Sequence, residues 1–86
     1  MEKIRELRRR IDEIDLELLS LIIERINISK IIGNTKRANN LLVRDSTREK
    51  EIFANLRKEA MISGLDPAKI ESIYQIIISM CVAIQE

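Results

Sequence analysis

The chain has 86 residues, with 15 Lys+Arg against 14 Asp+Glu and a formal charge of +1, a near-balance that gives no electrostatic case for nucleic acid or an anionic membrane surface. It has no histidine and a single cysteine, Cys81, which excludes imidazole acid–base chemistry and an internal disulfide and argues strongly against a zinc site. Hydrophobic residues at 45% and charged ones at 34% mark a foldable soluble chain, at a length where a monomeric core is marginal.

The N-terminus, "MEKIRELRRRIDEIDLELL", lacks the short apolar core and small-residue cleavage site of a signal peptide. No apolar run approaches the roughly 20 residues that span a bilayer, so a cytoplasmic protein with no membrane partner is expected. Ile4, Leu7, Ile11, Ile14, Leu18 and Leu21 recur at intervals of three and four, the spacing of one helix face. The pattern continues through Ile28 and Ile32 to about Arg37 and predicts a helix of some 35 residues, about 50 Å long. Between Leu18 and Ile32 the apolar residues spread to Leu19, Ile22, Ile23, Ile26 and Ile31, so this stretch needs neighbours on several sides.

"RANNLLVRD" breaks the pattern and reads as a connection. "DSTREKE" opens a second helix, with Ser46 and Glu49 at capping-box spacing and Asp45 as the rival N-cap. "SGLDP" closes it: Gly64 suits the left-handed C-terminal position, Asp66 the next N-cap and Pro67 the first helical turn. Leu65 and Ile70 stand at hydrophobic-staple spacing across that cap. The last helix, Pro67 to about Gln85, is so apolar that it is expected to be largely buried. The expected architecture is all-α: one domain over residues 1–86, a long helix lying along two shorter ones, and a second copy completing the burial in an intertwined homodimer.

One residue interrupts the apolar seam. Arg25 occupies the next position in the rhythm, and a charge in a core needs a partner. The residues three and four away are Leu21, Ile22, Ile28 and Ser29, none acidic. Lys36 lies on the same face three turns on, its Cα about 16 Å from that of Arg25. Two cations on one face with no acid three or four residues away suggest an anion site; a distant acid such as Glu49 is the ordinary explanation for Arg25, and a solvated helix end for Lys36. Arg8 sits about 25 Å back along the helix on another face, with Asp12 four residues on as a surface partner. Arg48 has Asp45 and Glu51 nearby. Cys81 and Gln85 stand one above the other on the last helix. Such a site has no nucleophile–base pair and no proton shuttle, so binding, or a reaction driven by conformational restraint and electrostatics, remains.

These residues together carry a resemblance. "LRRRIDEIDLELLSLIIERINISKIIGNTK", "VRDSTREKEI" and "GLDP…IYQIIISMCVAIQ" resemble the all-helical class of chorismate mutases over nearly the whole chain. The resemblance implies isomerisation of chorismate to prephenate, the shikimate-pathway step towards phenylalanine and tyrosine, in a cofactor-free dimer whose two sites draw on both chains. By position it implies that Arg25 and the partner chain's Arg8 grip the two carboxylates. Lys36 would bind carboxylate and the breaking ether oxygen, to which Gln85 donates a second hydrogen bond. Glu49 and the Asp45 backbone would hold the ring hydroxyl, and Arg48 would support the site's charge. Cys81 stands where the family commonly has a serine, so a weak thiol donor replaces a hydroxyl at a substrate contact. Helix three ends close to Gln85, where fraying is expected. Two other readings use the same residues: a lyase releasing pyruvate from isochorismate, and a non-catalytic helical dimer that regulates another enzyme.

Overall fold

Apolar periodicity with almost no breakers yields three helices and no strand among the described residues. A computed structural model describes residues 1–42 and 45–85, apart from the side chain of Gln85. Helix α1 is Glu2–Ala38, α2 is Ser46–Ile62 and α3 is Pro67–Gln85. The α1 helix runs unbroken for 37 residues and ends one residue past the Arg37 expected from the sequence. Its outward face is laced with Arg5–Glu2 and Arg10–Glu13 pairs, both at 3.1 Å; such exposed pairs add little stability.

Each helix end has an identifiable stop. After α1, Asn40 takes φ 56°, and the amides of Asn40 and Leu41 reach back to the carbonyls of Arg37 and Lys36 at 3.2 and 2.8 Å. This is a Schellman motif, with asparagine in the left-handed position that glycine more often fills. After α2 the same motif recurs with Gly64 at φ 74°, Leu65 N–H donating to the Ala60 carbonyl at 2.8 Å. The Asp66 carboxylate then accepts the Ala68 N–H at 3.0 Å and starts α3, as its position before Pro67 predicts.

The start of α2 differs from the capping-box expectation. Asp45 is the N-cap, accepting the backbone N–H of Arg48 at 3.0 Å. Aspartate caps at least as well as serine, and one residue further upstream it begins the helix first.

Helix α3 packs against both α1 and α2 and is the element that joins them. Against the expectation that no run approaches a membrane span, Pro67–Ile84 is long and apolar enough to be one by length and composition, with a mean hydropathy of 1.3; here the helix lies against its two neighbours. Yet the chain encloses very little. Among the described residues the buried hydrophobic ones are Ala60, Ile78 and Cys81, and every residue from Met1 to Leu21 is exposed. The expectation that α3 is largely buried is not met within one chain: Ile73, Ile76, Met80 and Ile84 remain open, because two neighbours cannot cover a helix apolar on most faces.

The molecule measures 58 × 25 × 15 Å with a radius of gyration of 16.5 Å, against about 12 Å for a compact chain of this length. Its surface is 7003 Å², where a folded monomer of this mass exposes about 5200 Å².

Candidate active site

Three stretches meet at one end of the molecule: the C-terminal half of α1, the first turn of α2 and the last turns of α3. They enclose a cleft of about 500 Å³, a size suited to one small organic ligand. Its apolar wall is Leu21, Ile28, Ile32, Ile52, Ile78 and Val82. Into it come Arg25 and Lys36 from α1, Asp45, Arg48 and Glu49 from the start of α2, and Cys81 from α3. Six of the eight site residues expected from the sequence thus line one cavity.

The helices account for this convergence. Arg25 and Lys36 share the α1 face because eleven residues make about three turns. The Asp45 cap sets where α2 begins, which brings positions 48 and 49 of its first turn to the cleft. Cys81, only 2% exposed, marks where α3 presses on α1.

Arg25, Lys36 and Glu49 are half-buried, whereas Arg48 and Asp45 are exposed. Arg48 Nη1 meets Glu51 Oε2 at 3.4 Å, one of the two acids expected near it. Arg25 departs from the ordinary explanation. Its Nη1 donates to Cys81 Sγ at 2.9 Å, and among the described residues no salt bridge joins it to Glu49 or any other acid. The cleft carries three cations, Arg25, Lys36 and Arg48, and three acids, Glu24, Asp45 and Glu49; Arg25, half-buried and bonded to a sulfur instead of a carboxylate, is the charge best placed to receive an anionic group.

Arg8 is not brought to this cleft by its own chain. It lies exposed on the N-terminal half of α1, and the expected surface pair with Asp12 is not formed among the described residues. Gln85 ends α3, but its side chain lies outside the described residues. Sequence reasoning missed two polar lining residues, Glu24 and Ser29. Ser29, 8% exposed, stands four residues after Arg25, a spacing that places it on the same face. Glu24 stands three residues after Leu21 and four before Ile28, both of which line the cleft, so the same spacing places it there.

The sequence model of the family "Chorismate mutase type II" matches residues 7–86, which include every element of the cleft. The chain belongs to the type II chorismate mutases. Its relatives agree. The chorismate mutase of Methanocaldococcus jannaschii is 35% identical over 86 residues, covering all of this chain and 87% of that protein. A bifunctional chorismate mutase/prephenate dehydratase of Aquifex aeolicus is 37% identical over 89 residues. This chain spans a quarter of that longer protein (25%). A 4-amino-4-deoxychorismate mutase of Streptomyces pristinaespiralis is 33% identical over 73 residues, 85% of this chain and 57% of that one. The type II chorismate mutase fold thus accounts for the three helices, and the cleft lies within the matched segment.

Proposed function

We infer that the cleft converts chorismate to prephenate, and that its working form is a cytoplasmic homodimer. The observation that carries the reaction is the gathering of Arg25, Lys36 and Arg48 with Glu49 around one partly apolar cavity, in a chain of this family. Chorismate is a dicarboxylate whose rearrangement breaks an ether bond and forms a carbon–carbon bond in one pericyclic step. That step needs neither nucleophile nor proton shuttle. It needs the compact conformer held in place, which removes an entropic part of the barrier, and negative charge stabilised on the departing ether oxygen. Arg25 would bind a carboxylate. Lys36 would contact a carboxylate and the ether oxygen, with Gln85 as the second donor to that oxygen. Glu49 would accept the ring hydroxyl, and Arg48 would favour the dianion electrostatically.

The resemblance gives the second carboxylate to the partner's Arg8, which the dimer would supply. The roughly 1800 Å² of surface beyond that of a compact monomer lies largely on helices left uncovered, above all α1 before Ile22. Burying that area on each of two copies falls in the range of obligate homodimers. A partner's α1 lying along the exposed stripe would bring its Arg8 towards the Arg25 end of the cleft.

The direct test is to incubate purified protein separately with chorismate, isochorismate and 4-amino-4-deoxychorismate and to identify the products. Prephenate from chorismate at the highest kcat/KM is expected. Pyruvate release from isochorismate would make the cleft a lyase site, and preference for the 4-amino substrate would move the assignment to that analogue. No turnover of any of the three would leave a non-catalytic dimer.

A further inference from the structure

We propose that Cys81 is a positioning residue: its sulfur holds the Arg25 guanidinium in place for the incoming carboxylate. The identity of that anion rests on the chorismate mutase reading; the contact itself does not. Arg25 Nη1 lies 2.9 Å from Cys81 Sγ, across 56 positions of sequence. The sulfur belongs to one of the most enclosed residues in the chain, at 2% exposure, so it is a fixed anchor and not a mobile side chain. Both residues line the cleft.

The chemistry of the acceptor explains its usefulness. A half-buried guanidinium without a hydrogen-bond partner is costly. A carboxylate partner would satisfy it, but would cancel its charge and compete with substrate. A neutral thiol is a weak acceptor. It takes one of the five N–H donors, restrains the plane of the guanidinium and leaves the positive charge and the other donors for a ligand. Cys81 therefore acts through Arg25, a role beyond the substrate contact that the family resemblance implies for its position.

The test compares Cys81→Ala and Cys81→Ser in the parent and in an Arg25→Lys background, with circular dichroism and sedimentation confirming fold and assembly. Cys81→Ala is expected to raise KM for chorismate about three- to tenfold with kcat nearly unchanged, the size of one lost orienting hydrogen bond. Cys81→Ser, which retains an acceptor, stays within about twofold of the parent. In the Arg25→Lys background the alanine change adds less than about twofold, since the group being positioned is gone. An equal KM increase in both backgrounds, or none in the parent, overturns the proposal.

A second measurement is independent of turnover. In the ligand-free dimer, nitrogen-15 spectra should show distinct Nη–H signals for Arg25, reflecting hindered rotation. These signals should merge in Cys81→Ala and separate again in Cys81→Ser. Merged signals in the parent overturn the proposal. If the parent converts no chorismate while the signals behave as expected, the functional reading fails and the positioning role stands.

Discussion

Asp45 accepts the backbone N–H of Arg48 at 3.0 Å, and the residue that receives this cap is itself a cleft residue. Folding and binding are thereby joined at one turn. Asp45→Ala should lower stability by about 1 kcal/mol and raise KM for chorismate, because Arg48 and Glu49 ride on the freed turn. Ser46→Ala should change both much less. Urea titration of the two variants beside the parent decides it, and a larger loss from Ser46→Ala would return the cap to serine.

Lys36 is assigned to the atom on which charge develops. Lys36→Ala should therefore reduce kcat about 100- to 1000-fold, the usual cost of losing one such donor, with the far-ultraviolet circular dichroism unchanged. A loss confined to KM would make Lys36 a binding residue only.

Most of this architecture is legible in the sequence because the pattern is strong and local. The three-four rhythm from Ile4 to Ile32 predicts α1, and "SGLDP" marks the break before α3. Two places resisted local reading. At the start of α2, Asp45 and Ser46 are both competent caps, and only the position of the first turn discriminates them. Arg25 has no acid at helical spacing, so its partner had to be distant; that the partner is a sulfur on α3 follows from how α3 packs against α1. Burial was the wider gap. Apolar periodicity shows that a face needs covering but not by which chain, so α3, expected to be buried, is largely open in a single copy.

The left-handed turn at Gly64 gives a stability prediction separate from the cleft. At φ 74° a Cβ is disfavoured by backbone sterics, although no atom outside the local chain lies within 4 Å of where it would stand. Gly64→Ala should cost about 1–2 kcal/mol in thermal or urea unfolding and leave KM for chorismate unchanged. An unchanged melting temperature would contradict the assigned turn.

The uncovered α1 stripe predicts assembly. Sedimentation equilibrium should give about twice the 10.0 kDa chain mass. Ile11 is 55% exposed in one chain, and Ile11→Glu would place a charge in the interface. That variant should dissociate or lose helicity and lose activity with it. A fully active, helical Ile11→Glu monomer would show that the stripe is not the dimer contact.

Mixing two inactive variants tests the shared site most directly. Arg8→Ala and Arg25→Ala are each expected to lose nearly all loss of chorismate absorbance, through a missing carboxylate contact. Unfolded together and refolded at equal concentrations, they should recover about a quarter of parental activity. Half of the dimers would be mixed, and each would carry one site with its own Arg25 and its partner's intact Arg8. Recovery near that level supports a chorismate-converting site built from two chains. No recovery from correctly folded mixed dimers would contradict it and return the site to a single chain.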